Sequence, residues 1–243
     1  MSPVLVALPA FTAAFTALHA VAPRIAPENP RAFALSRGIA AAVLTVLGAA
    51  ALVDALPMWP VAFLYHHEAG DWMRTGLLVV YGHLLSDFLW MGWSRWRHGI
   101  VPRKDLIIHH GLGVLAYGYA LYVEVGYAIA LIAMITELMP VTSGYGALGK
   151  ALGRPGMVDA AARWRLKVLV GLRLPVWLML FALVNRAIFA GAVPEGLGPA
   201  FAVAYSGLVG LMALDVYWIR KSRVALARQR AASGARADGP DGL

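Results

Sequence analysis

Apolar residues in this chain come in long, nearly unbroken blocks, not at the alternating or one-in-three spacing of a soluble fold. Seven stretches come close to the ~20 residues that cross a bilayer. They run approximately Pro3–Ala22, Ala34–Leu56, Thr75–Trp93, Leu106–Val123, Val125–Thr142, Leu166–Val193 and Pro199–Ile219. The sixth is long and interrupted by Pro175, which predicts a kink or tilt. The first ends in His19-Ala-Val-Ala22, similar to a signal-peptide cleavage site, but lacks a basic leader; its nearest positive charge follows at Arg24. It reads as an uncleaved anchor. The pattern predicts an all-α, polytopic membrane helix bundle of about seven transmembrane helices. Residues 1–230 form one transmembrane domain, and 231–243 a short disordered cytosolic tail.

Composition agrees: 60% of the 243 residues are hydrophobic and 14% charged, far from a soluble domain. There is no cysteine, which excludes disulfides, thiolate metal sites and a cysteine nucleophile. The formal net charge of +8 raises the question of nucleic acid, but the charge follows topology. Of the 21 basic residues, all but Arg74, Arg173 and Arg186 fall on alternate connections and the tail. Arg24, Arg31 and Arg37 lie at the first connection and Arg95, Arg97, Arg103 and Lys104 at the third. Lys150, Arg154, Arg163, Arg165 and Lys167 lie at the fifth, and Arg220 to Arg236 in the tail. The positive-inside rule places the N-terminus outside and the C-terminus in the cytosol. No basic segment forms a separate module, so no nucleic-acid partner is expected. The expected location is a multi-pass membrane protein, of the plasma membrane in a bacterium or an endoplasmic-reticulum-like membrane in a eukaryote.

Ionisable residues inside spans are costly and default to functional candidates. At ~1.5 Å rise per residue, span three places Asp87 roughly 10 Å from its cytosolic end, with His83 one turn deeper. His109 and His110 lie within about 8 Å of the cytosolic start of span four. Glu137 in span five, Arg173 in span six and Asp215 in span seven fall at comparable depth. Five helices thus present polar groups at one level. Each has a structural alternative. His83 and Asp87, four apart, share a face and can satisfy each other. Glu137 and Arg173 can be an ion pair tying two helices, and Asp215 a charge near a helix end. The adjacent His109 and His110 diverge by about 100°, so both facing lipid is disfavoured. Trp90, Trp93 and Trp96 read as an interfacial aromatic belt or, alternatively, a ligand cage. His19 belongs either to the site or to the interface.

His66, His67, Glu68 and Asp71 form a polar run in an outside loop, a weak pattern for a metal. No phosphate-binding glycine loop, serine elbow or HExxH is present. Seven histidines in this arrangement do not supply the spaced boxes of the di-iron membrane desaturases.

The segment Arg103-Lys-Asp-Leu-Ile-Ile-His109-His110, following Asp87 and Trp90 in the previous span, resembles the core of a TLC domain. That family includes ceramide synthases, translocating-chain-associating membrane proteins and lipid-homeostasis proteins. Thr136-Glu137-Leu-Met-Pro140 is similar to the family's acidic-residue-then-proline signature, and Tyr217-Trp218 fits its last span. The resemblance covers roughly residues 34–223. In ceramide synthases the paired histidines are required for acyl transfer from acyl-CoA to a sphingoid amine, and an aspartate pair follows in the next helix. Here Glu137 occupies that region, which is closer to the family's broader branches, associated with phospholipid acyl remodelling and membrane composition.

The resulting expectation is a membrane lipid acyltransferase or transacylase with His109, His110, Asp87 and Glu137 as catalytic residues. His83, Arg173, Asp215 and Trp90 bind substrate. No metal is assigned and no cofactor is bound; acyl-CoA or a phospholipid is the acyl donor, and the partners are membrane lipids and a coenzyme A thioester. Imidazole removes the acceptor's proton or attacks as nucleophile, a carboxylate orients it, and Arg173 or a histidine N–H stabilises the oxyanion. The alternative is a non-catalytic lipid-binding or membrane-homeostasis protein of the same fold.

Overall fold

The computed structural model describes residues 3–25, 33–58, 71–193 and 195–237. The His66, His67 and Glu68 run lies outside them, as does the Asp71 side chain. Nine α-helices occur among the described residues: α1 (Pro3–Ile25), α2 (Ala34–Ala55), α3 (Asp71–His98), α4 (Lys104–Val123), α5 (Tyr127–Ile132), α6 (Leu138–Ala151), α7 (Pro155–Val168), α8 (Leu174–Phe189) and α9 (Gly198–Ala237). A 3-10 turn, Ala133–Glu137, joins α5 to α6, and a π turn, Leu169–Arg173, joins α7 to α8.

Among the described residues six helical stretches are long and apolar enough to cross a membrane, and α5–α6 and α7–α8 each act as one continuous stretch. The remaining long helix, α3, has 28 residues. Its apolar run is diluted by His83, Asp87 and the charged Arg95–His98 end, because α3 carries part of the polar site. The outer surface is apolar, with Val46, Val53, Leu115, Tyr122 and Phe189 all exposed. This inside-out pattern is consistent with a polytopic membrane protein.

Two expectations change at α7. Arg163, Arg165 and Lys167 are not loop residues but lie on a helix that continues through the π turn into α8. Apolar side chains interleave with the charges (Met157, Val158, Ala161, Trp164), so the segment is amphipathic and packs against α6. The predicted disturbance at Pro175 is present one turn earlier, as the π turn. Proline lacks the N–H that would bond back to residue 171, and the widened turn absorbs the mismatch. At the other end of the chain α9 continues helically through residues 231–237, where a disordered tail is expected; residues 238–243 are not described.

Close backbone approach fixes α2 against the α5–α6 segment. A Cβ on Gly38 would lie 2.8 Å from Gly144 Cα, and one on Gly48 2.7 Å from the Leu131 carbonyl oxygen. Only glycine allows these crossings, a packing mode suited to helices in lipid. Around them Leu44, Leu77, Val80, Leu131, Trp177 and Leu180 form the central apolar core. It pins α2, α3, α5 and α8 together and leaves the polar residues clustered towards one end.

Candidate functional site

Asp87 is the hub of the first polar cluster and is fully buried. His110 Nε2 lies 2.6 Å from its Oδ2, and Arg37 Nε donates to the same oxygen at 3.0 Å. His19 Nε2 is 2.9 Å from Oδ1. His83 Nδ1 is 3.8 Å away, too far for a hydrogen bond, so the expected pairing of His83 with Asp87 is a neighbour relation only. The far ring nitrogen of His110 donates to the Leu106 carbonyl at 3.0 Å, one helical turn back. His19 Nδ1 meets Ser36 Oγ at 2.8 Å. Four helices, α1 to α4, therefore converge on one carboxylate.

His109, next to His110, joins a second cluster. Its Nε2 is 3.5 Å from Glu137 Oε1, and Arg173 Nη1 is 3.6 Å from that same oxygen. The closest partner of Arg173 is not Glu137 but Asp215. Arg173 Nε donates to the two Asp215 oxygens at 2.7 and 2.9 Å, and Trp177 Nε1 donates to Oδ2 at 2.9 Å. Asp215 is not a helix-end charge: α9 extends more than five turns beyond it, and the side chain is fully buried. Arg173 also donates through Nη1 to the Thr136 carbonyl at 2.9 Å. That carbonyl is available because Pro140, four residues on, has no N–H to offer it. The Thr136–Pro140 segment thus exposes a backbone acceptor as well as placing an acid. The guanidinium lies between the rings of Trp177 and Trp218, at 5.6 and 5.3 Å.

The expected site residues consequently divide. His83, Asp87 and His110 gather around one carboxylate, and His109, Glu137, Arg173 and Asp215 form the other group. The two touch through the His109 and His110 rings, whose centroids are 5.4 Å apart. Trp90 stacks obliquely on His19 at 5.5 Å, whereas Trp93 and Trp96 are exposed. Sequence reasoning missed Arg37, Ser36, Trp177 and the anchoring of Trp218, which donates to Asp105 Oδ2 at 2.8 Å. Arg37 had a signal: it is the only cation inside the α2 helix.

Three cavities meet at this region. The largest, about 700 Å³, is lined by α2, α4, α6, α7 and the later half of α9. Arg37, Arg103, Lys150, Arg165, Arg173 and Lys221 line it, with no acidic side chain among its described residues, and His109 is on its wall. A narrow cavity of about 20 Å³ is bordered by His83, His109, His110 and Glu137. An apolar cavity of about 120 Å³ between α4, α5, α8 and α9 shares Tyr117, Trp177 and Leu211 with the narrow one. His109 is the histidine common to the cationic and the narrow cavities. His109 Nδ1 and Arg173 Nη2 are buried without a hydrogen-bond partner. One imidazole nitrogen and one guanidinium nitrogen are therefore uncommitted, on the two residues whose other nitrogens lie near the Glu137 carboxylate.

No protein-family model, no curated protein and no solved structure matches the chain. What the site does is argued from its own chemistry. A buried histidine–carboxylate cluster inside a helical membrane bundle is equipped for proton transfer or for holding a lipid.

Proposed function

We propose that this chain is a membrane lipid acyltransferase or transacylase whose reacting pair is His109 and Glu137. One observation carries the reading. His109 stands where a large cationic cavity meets the narrow buried one, with Nε2 towards a carboxylate and Nδ1 unpartnered. Glu137 holds the proton on Nε2, which leaves the Nδ1 lone pair as the base. The 3.5 Å separation is at the limit of a hydrogen bond, as is common before substrate binds.

In the reaction, the acceptor's O–H or N–H gives its proton to His109 Nδ1 as the acceptor atom bonds to the acyl carbonyl carbon. The carbonyl electron pair moves to oxygen, where Arg173 Nη2 is the donor placed to stabilise it. Collapse of the tetrahedral intermediate re-forms the carbonyl. It breaks the bond to the leaving group, a coenzyme A sulfur or a lysophospholipid oxygen, which takes the proton from His109. The basic lining of the large cavity suits a phosphate-bearing donor, and the apolar cavity beyond Tyr117 and Trp177 suits the acyl chain. The resemblance of Arg103–His110 to a TLC core agrees with this chemistry. Seven spans with the N-terminus outside place the cationic cavity on the cytosolic side.

A second reading, a non-catalytic lipid-binding or membrane-lipid-homeostasis protein, is favoured by one feature. The space between His109, His110 and Glu137 has room for about one water, and Leu84, Met134 and Tyr117 close it. The test is purified chain in nanodiscs with a panel of acyl-CoA and phospholipid donors and lysolipid, glycerophospholipid and amine acceptors, followed by mass spectrometry. Acyl transfer is expected. Bound lipid without turnover across the panel selects the second reading.

A further inference from the structure

The Asp87 cluster has no step of its own in that reaction, and its hydrogen inventory does not close with a neutral His110. The Leu106 carbonyl can only accept, so the His110 nitrogen that bonds it, Nδ1, carries hydrogen. A neutral His110 then turns the bare lone pair of Nε2 towards Asp87 Oδ2 at 2.6 Å. Two acceptors at that distance repel each other, so a positive centre belongs with them: a proton between the two atoms, or a metal ion that both ligate from slightly greater separation. His83 Nδ1 is buried with no hydrogen-bond partner, and His19 Nε2, 2.9 Å away, is the near neighbour of Asp87 Oδ1. One ligand-type atom from each of His83, Asp87 and His110 lies within 4.8 Å of the other two. All three residues are at least 97% buried, at 3%, 0% and 1% exposed.

We propose that His83, Asp87 and His110 form a buried site for a divalent first-row transition metal, zinc or ferrous iron. Two imidazoles and a carboxylate, with no thiolate, are the donor set those ions take. His83 and Asp87 reach it from one face of α3, four residues apart, and His110 from α4. Metal–ligand bonds of ~2.0–2.1 Å put tetrahedral donors about 3.3 Å apart. His110 Nε2 is 2.6 Å from Asp87 Oδ2 and His83 Nδ1 is 3.8 Å from Oδ1, so the separations to the two carboxylate oxygens lie on either side of that value. The outer partners are also those of a metal ligand set. The Leu106 carbonyl fixes the tautomer of His110, and Arg37 holds the carboxylate. The two histidines, though not Asp87, border the narrow cavity, which has room for one water beside them. Glu137 borders that cavity and brings a second negative charge to offset the ion and Arg37. Metal binding does not depend on the acyl-transfer reading.

The test uses the full chain purified in nanodiscs through a tag without histidine, stripped with a chelator and titrated with Zn²⁺. Co²⁺, whose visible absorption reports its ligand geometry, is the second probe. One equivalent per chain is expected, with a low-symmetry Co²⁺ spectrum. His83→Ala and the volume-preserving His83→Gln should each weaken Zn²⁺ binding by about 100-fold or more, since loss of even an outer partner costs ~10–100-fold. The double variant His66→Ala/His67→Ala should bind as wild type. Absence of saturable Zn²⁺ binding by folded wild-type protein would overturn the proposal and leave a proton on His110 as the positive centre. Wild-type affinity in both His83 variants, or loss of binding in the His66/His67 variant, would overturn it equally.

Discussion

Asp87 and Glu137 each face one member of the adjacent histidine pair, yet their surroundings differ in kind. Asp87 is enclosed by α1 to α4, and His110, Arg37 and His19 crowd its two oxygens. Glu137 has one oxygen shared at 3.5 and 3.6 Å by His109 and Arg173, each of which keeps an uncommitted polar atom and borders the cationic cavity. Tight, closed pairing organises a fold, and looser pairing beside a cavity leaves atoms free for a substrate. The same two residue types serve both ends because a rotation of about 100° between neighbouring helical positions sends their side chains into different clusters.

Removing the central carboxylate should have the largest effect on stability. Asp87→Ala leaves the buried His110 and the partly buried Arg37 without their partner, and breaking a buried pair typically costs about 3–5 kcal/mol. Denaturant or thermal unfolding in detergent measures it. A loss under about 1 kcal/mol would mean that the cluster is well hydrated, as exposed ion pairs are, and would erase the contrast with Glu137.

Glu137→Gln sharpens the contrast from the other side. The amide keeps the shape and can still accept from His109 Nε2–H, but it loses the charge that stabilises an imidazolium. Turnover should fall by less than in a His109→Ala variant, where loss of proton transfer costs ~10²–10⁴. Equal losses in the two variants would make Glu137 a direct participant and not an orienting group.

The smallest effect is expected at the apolar cavity. Gly207 borders it, and a Cβ there would meet only Ala116 Cβ, at 3.8 Å. Gly207→Leu should therefore fold, fill the space and shorten the longest acyl chain transferred. Each CH₂ that is no longer buried forfeits about 0.8 kcal/mol. An unchanged chain-length profile would place the acyl chain elsewhere, against the lipid-facing surface.

Helix existence was legible because a bilayer imposes a length on apolar runs: the bounds of α2 and α4 differ from the expected spans by no more than two residues at either end. The common depth of His83, Asp87, His109, Glu137, Arg173 and Asp215 was legible too, since rise per residue converts position to depth. Helix rotation was not, so nothing in the spacing told that Asp215 takes Arg173 or which carboxylate each of the diverging His109 and His110 meets. Arg37 was hidden by a competing explanation, because positive-inside topology accounts for any cation near a span end. His19 was open between site and interface, and its contacts with Asp87 and Ser36 put it in the Asp87 cluster. Arg163, Arg165 and Lys167 misled in the opposite direction. Charge density reads as loop, whereas their spacing among apolar residues builds α7.

The most direct test compares turnover and melting temperature in His109→Ala and His110→Ala, measured side by side in nanodiscs. His109→Ala should lose ~10²–10⁴ in turnover and melt close to wild type, because its Nδ1 is unpartnered and its one carboxylate contact is long. His110→Ala should melt clearly lower, because it removes the shortest contact to Asp87 and the bond to the Leu106 carbonyl. Full turnover in His109→Ala, or an unchanged melting temperature in His110→Ala, would contradict the division of the pair into a reacting histidine and an anchoring one.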